Sequence, residues 1–208
     1  MKESEALAEL SSIRSLMERS AKFISLSGIS GVMAGIYALI GAFFGYRIVH
    51  QSGSGLDYSP HAVNDPLVII QLSVIGVVVL FCSVSTAIVL SMRKAKQKNQ
   101  QIWNAASKGL LVHAGVPLVT GGLLISIFLY QGYIGIIAST CLIFYGLALV
   151  SGSHYTFKDI KWLGFSEILL GLLATLMPAY GLLFWSVGFG LLHIIYGLIM
   201  YYKYDSSK

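Results

Sequence analysis

Leu67 to Met92 reads LVIIQLSVIGVVVLFCSVSTAIVLSM, without a charged side chain, and RKAKQK follows it at once. A helix rises about 1.5 Å per residue, so roughly 20 apolar residues cross the hydrocarbon core of a bilayer. This run is longer than that and has room to tilt or to continue as helix past the membrane. The rest of the chain follows the same rule. It is 56% apolar and only 11% charged, against roughly a quarter charged in ordinary globular proteins. A soluble helical bundle is a poor alternative, because its surface helices need a charged face and these segments have none.

Six spans are predicted: 23–46, 67–92, 108–130, 132–151, 162–178 and 182–201. The expected fold is an all-α integral membrane protein with six transmembrane helices arranged as three antiparallel hairpins. The domain then covers 23–201, preceded by a 1–22 segment and followed by a 202–208 tail. Leu7, Leu10, Ile13 and Met17 in the first segment are spaced as one face of an amphipathic helix. Four glutamates there, Glu3, Glu5, Glu9 and Glu18, are unlike the basic start of a secretory signal.

Basic residues set the orientation. With the N-terminus inside, Lys2, Arg14, Arg19, Lys22, Arg93, Lys94, Lys96, Lys98, Lys108, Lys158, Lys161, Lys203 and Lys208 all fall inside, and only Arg47 outside. The positive-inside rule therefore puts both termini in the cytoplasm of a bacterial inner membrane. The net charge of +5 is a topology signal, and no nucleic-acid partner is expected. Cys82 and Cys141 have no metal-ligand spacing and read as small buried residues.

The chain repeats itself. GLLISIFLYQGYIGIIASTCLIFYGLAL from Gly122 parallels GLLATLMPAYGLLFWSVGFGLLHIIYGLI from Gly171. Each opens on Gly-Leu-Leu, passes a short turn and returns to Tyr-Gly-Leu, at Tyr145–Leu147 and Tyr196–Leu198. With these aligned, Leu142 stands opposite His193. Span one carries two faces of small residues, Ser27, Gly31 and Gly35 beside Ala34, Ala38 and Ala42. Such faces let helix backbones approach closely, which points to a central position or an oligomer interface. Pro117 is expected to kink span three, and Pro178 to end span five.

The stretches FYGLALVSGSHYTFKDIKWLGFSEILLGLLA, YGLLFWSVGFGLLHIIYGLIMYYKYD and ERSAKFISLSGISGVMAGIYALIGA resemble a family of small multi-span membrane proteins of Bacteroidetes-type bacteria. The resemblance covers most of the chain outside the first outer loop. It implies the topology above and carries no chemistry to transfer.

Three ionisable side chains fall inside the spans: His113, Glu167 and His193. Counted inward at about 1.5 Å per residue, His113 and Glu167 lie roughly 7–8 Å deep and His193 about 12–15 Å. A carboxyl in hydrocarbon is costly unless paired or neutral, so a Glu–His cluster is expected in the bundle interior. It can fix helix register, relay a proton or hold a cation; two His and a carboxylate also match a metal-ligand inventory, without diagnostic spacing. Asp57, His61 and Asp65 recur at fours in the first outer loop, where a solvated loop is the simpler reading. No nucleophile elbow, P-loop or zinc-protease motif is present. The expected function is a non-enzymatic, oligomeric scaffold or sensor in the lipid bilayer, without cofactor or metal. The alternative is a small permease or proton-coupled carrier, with a small solute or proton as partner.

Overall fold

The computed structural model describes residues 27–51, 65–97 and 103–206. The amphipathic helix expected over 1–22, Asp57 and His61 lie outside these residues. The described residues form helices joined by short turns, without strand: α1 Gly28–Gln51, α2 Pro66–Gln97, α3 Ala105–Gln131, α4 Ile137–Gly152, α5 Asp159–Leu176 and α6 Pro178–Asp205. α4 extends at both ends through single 3₁₀ turns, so that 22 residues from Ile134 to Tyr155 run as one rod. α1, α2, α3, the extended α4 and α6 are each long and apolar enough to cross a membrane. α5 spans 18 residues and carries Asp159, Lys161 and Glu167.

Local chemistry explains the helix ends. The Asp65 carboxylate accepts the Leu67 N–H at 2.9 Å, a cap in front of Pro66 at the first helical position of α2. The first-loop acid is therefore engaged as a helix cap. Asn104 caps α3 in a reciprocal box: its side chain accepts the Ser107 N–H, and the Ser107 hydroxyl accepts the Asn104 N–H, both at 2.9 Å. α3 ends at Gly132, φ +78°, the left-handed conformation that glycine adopts without cost. α3 runs helical through Pro117, and Pro178 opens the 3₁₀ turn at the head of α6, after α5 has ended at Leu176.

α1 packs on both α2 and α6. Its Gly41 faces Ile75 and Val79 of α2, and Tyr37 hydrogen-bonds Thr86 at 3.3 Å. Its other side lies on α6, antiparallel, with Gly28 beside Tyr201, Gly31 beside Gly197 and Gly35 beside Gly190 and Ile194. The Ser27–Gly31–Gly35 face is thus used inside the chain, and Ala38 and Ala42 are buried with it. α4 and α5 meet just as closely: a Cβ at Gly146 would fall 2.6 Å from the Gly164 carbonyl oxygen. No side chain fits between backbones so near, which is the physical reason for glycine there. α3 lies outside α4, with Gly121 under Phe144 and Gly109 under Tyr155. α2 and α3, consecutive in the chain, form no packed interface among the described residues. Their exposed surfaces are rows of Val, Leu, Ile and Phe, as lipid-facing helices require.

α6 is irregular. It is α-helical at Gly181–Trp185 and His193–Met200, and π-helical at Ser186–Leu192 and Tyr201–Asp205. Nothing in its hydropathy announces either wide turn. Both coincide with polar contacts, one at mid-helix and one at the C-terminal end.

At that end Asp205 accepts the Gly28 N–H at 2.9 Å, the first amide of α1, and Ser27 Oγ at 3.4 Å; Lys94 of α2 bonds its other oxygen. A carboxylate at a helix N-terminus satisfies orphan amides and meets the positive end of the helix dipole. Two residues earlier, Lys203 Nζ donates to Asp159 at 2.8 Å and the Tyr204 hydroxyl to the same oxygen at 2.7 Å. The end of α6 therefore ties α1, α2 and α5 together.

Candidate functional site

The mid-helix π turn of α6 holds the second polar cluster. Gly188 lies inside it, and a Cβ there would fall 2.5 Å from Glu167 Oε2 and 2.5 Å from Leu142 Cδ2. Glycine leaves the niche into which α5 inserts the Glu167 carboxyl. Glu167 has no solvent-exposed surface, and among the described residues neither of its oxygens has a hydrogen-bond partner. His193 Nδ1 lies 3.4 Å from Oε1.

His193 is held by two other groups. Nδ1 lies 3.0 Å from the Gly188 carbonyl oxygen, and Nε2 lies 2.8 Å from the Tyr145 hydroxyl of α4. A carbonyl only accepts, so Nδ1 carries hydrogen and donates to Gly188. In the neutral ring Nε2 then accepts, and Tyr145 donates to it. Both ring nitrogens are satisfied without Glu167. Phe189 closes the site, 5.0 Å from the Tyr145 ring and 5.9 Å from that of His193, centroid to centroid, with Trp185 behind it.

The chemistry this permits is narrow. An ionised carboxylate with no hydrogen bond, fully withdrawn from water, carries a large solvation penalty. Two arrangements relieve it: a proton on Glu167, or a second proton on His193 that turns the pair into an ion pair. In the second, the added proton sits on Nε2 and the Tyr145 oxygen must accept it, while the single Nδ1 hydrogen serves Glu167 only by leaving the Gly188 carbonyl or being shared with it. One proton thus changes the hydrogen-bond partners of three helices.

Of the sequence candidates, Glu167 and His193 come together; His113 does not. It sits on an exposed part of α3, its ring stacked on Tyr155 with centroids 5.0 Å apart. Tyr145 is the neighbour of His193 that sequence reasoning missed. Its signal was a hydroxyl inside the repeated Tyr-Gly-Leu, one turn from the position aligned with His193. Among the described residues no three His, Cys, Asp or Glu side chains gather at metal-binding range. No family model matches the chain, and no curated protein or solved structure is detectably similar to it.

Proposed function

We propose that this chain is a six-span inner-membrane protein of three antiparallel hairpins, with both termini cytoplasmic, acting as a non-enzymatic oligomeric scaffold that senses protonation at Tyr145, His193 and Glu167. The observation that carries the sensing role is the Glu167 carboxyl, buried beside a histidine yet hydrogen-bonded to nothing among the described residues. A carboxyl kept only to fix helix register would have its oxygens engaged, since an unpaired buried polar group costs about 1–3 kcal/mol. Buried ionisable groups in membranes are instead a usual mark of proton or ion handling. The aligned Leu142 supports the same reading, because the repeat builds an equivalent hairpin end with an apolar residue at that position.

The sixth span rests on α5, whose charges sit at its start and in the niche, where His193 lies 3.4 Å from the carboxyl. Orientation rests on the basic residues, and the rigid, glycine-packed helices suit a scaffold.

The test is hydrogen exchange of the protein in lipid nanodiscs across pH 5 to 8. Exchange in α5 and the Ser186–Leu192 turn should change with pH in the native chain and lose that dependence in Glu167→Gln. A pH-invariant pattern in the native chain sinks the sensing role. The second reading, a proton-coupled carrier, draws on the same uncompensated carboxyl; it predicts pH-gradient-driven flux in liposomes that Glu167→Gln abolishes.

A further inference from the structure

Two seams in this fold are built to one pattern. Gly28 and Gly35 of α1 are seven residues apart, as are Gly164 and Gly171 of α5. A Cβ at Gly28 would fall 2.7 Å from the Gly197 carbonyl oxygen; at Gly164, 2.8 Å from that of Gly146. At Gly35 it would fall 2.6 Å from the Gly190 oxygen and 3.0 Å from Ile194 N; at Gly171, 3.0 Å from the Ser139 oxygen and 3.0 Å from Ile143 N. When the Tyr-Gly-Leu motifs are aligned, Gly146, Ile143 and Ser139 correspond to Gly197, Ile194 and Gly190. The same helix-docking surface is therefore used twice, in the same register. Each time an odd-numbered helix takes an antiparallel even-numbered helix carrying small residues seven apart.

Further small residues share this spacing, and the glycines among them are open. α3 carries Gly115 and Gly122, seven apart, and the repeat aligns Gly122 with Gly171. α2 carries Gly76 and Ser83, also seven apart. A Cβ added at Gly76, Gly115 or Gly122 meets nothing within 4 Å. At about 100° per residue, Gly115 and Gly122 lie roughly a third of a turn round from Ala114 and Gly121, the side that faces α4. On α1 the occupied Gly35 lies about the same angle, in the same sense, from Gly41, which faces α2. The open glycines thus occupy the docking face, and lipid gains nothing from small residues there. α2 packs on α1 and α3 on α4, so the two open glycine faces lie on different parts of the bundle.

We infer that the Gly115–Gly122 face of α3 docks the Gly76–Ser83 face of α2 from a second copy of this chain, and reciprocally. A two-fold dimer then contains two more seams of the kind each copy already contains twice, and both edges are closed. This rests on the hairpin reading above and names the interface of the proposed oligomer.

The occupied seams set the register. Gly28 meets Gly197 and Gly164 meets Gly146, so Gly115 should meet Ser83. In a C82S/C141S background, differently tagged G115C and S83C chains are co-reconstituted in lipid and oxidised. The expected result is a disulfide between the two tags, absent from the G115C and G76C pair, which is off register by about 10 Å against a disulfide Cα reach of about 5.5 Å. G122L should keep the fold, since its site is open within the monomer, and abolish the cross-link. Three results overturn the inference. An internal disulfide in the doubly substituted single chain means its own α2 closes the seam. Oligomers by native mass measurement without the cross-link refute this interface but leave the scaffold reading standing. Monomer throughout refutes both.

Discussion

Glu167 Oε1 lies 3.4 Å from His193 Nδ1, yet that nitrogen is 3.0 Å from the Gly188 carbonyl oxygen, which takes its hydrogen. The acid is a neighbour of the histidine without being its hydrogen-bond partner. Stability and response should therefore separate at this position. Glu167→Met removes an unsatisfied buried carboxyl and keeps the volume close, so the folded state should be unchanged or gain about 1–3 kcal/mol. Thermal unfolding in detergent reads this, while the pH dependence of exchange disappears. A loss above roughly 1 kcal/mol means the carboxyl holds the fold together.

Tyr145 should behave in the opposite way. Its hydroxyl donates to Nε2 at 2.8 Å, and phenylalanine leaves that nitrogen buried without a donor. Tyr145→Phe should cost about 1–3 kcal/mol. It should also shift the His193 ring ¹⁵N resonances, which distinguish the Nδ1–H tautomer assigned here from its alternative. Unchanged resonances contradict the assignment.

Much of this was legible in the sequence. Uncharged runs such as Leu67–Met92 imposed long apolar helices, and the small residues of span one marked a close backbone approach. Glu167 and His193 met because α5 and α6 are joined by a short turn and both residues fall in the half of their spans farther from that turn. His113 was the less constrained expectation: depth says nothing about which way a side chain points round its helix, and α3 turns it to Tyr155. The π turns were invisible because they depend on tertiary contacts, Gly188 against Glu167 and Asp205 against the start of α1. Asp205 read as part of a polar tail for the same reason.

The glycine seams give a prediction of contrasts. Gly146→Ala puts a methyl 2.6 Å from a backbone oxygen of α5, where neither helix can yield locally, and should destabilise by about 1–3 kcal/mol. Gly115→Ala meets nothing within 4 Å and gains helix propensity, so the detergent-solubilised monomer should be unaffected or stabilised by up to about 1 kcal/mol. Equal losses at both positions, in paired unfolding curves, refute the distinction between an occupied and an open face.

The tie between α5 and α6 gives a signed pH dependence. Lys203 hydrogen-bonds Asp159 and holds its carboxyl below the usual range; partial burial opposes this, and the Tyr204 hydroxyl adds to it. A carboxyl lowered on folding stabilises the folded state above its unfolded value, about 3.9. That contribution falls away as pH drops through the folded value. Native protein and Asp159→Asn should thus differ in melting temperature at pH 6 to 7 and converge as pH falls below about 4. Because Lys203 is well exposed, the difference should also shrink as salt rises from 50 mM to 1 M, over which the screening length falls to about 3 Å. A difference that persists at low pH and high salt means Asp159 acts through packing or through its Tyr204 hydrogen bond. The ion pair would then be incidental to how α6 is anchored.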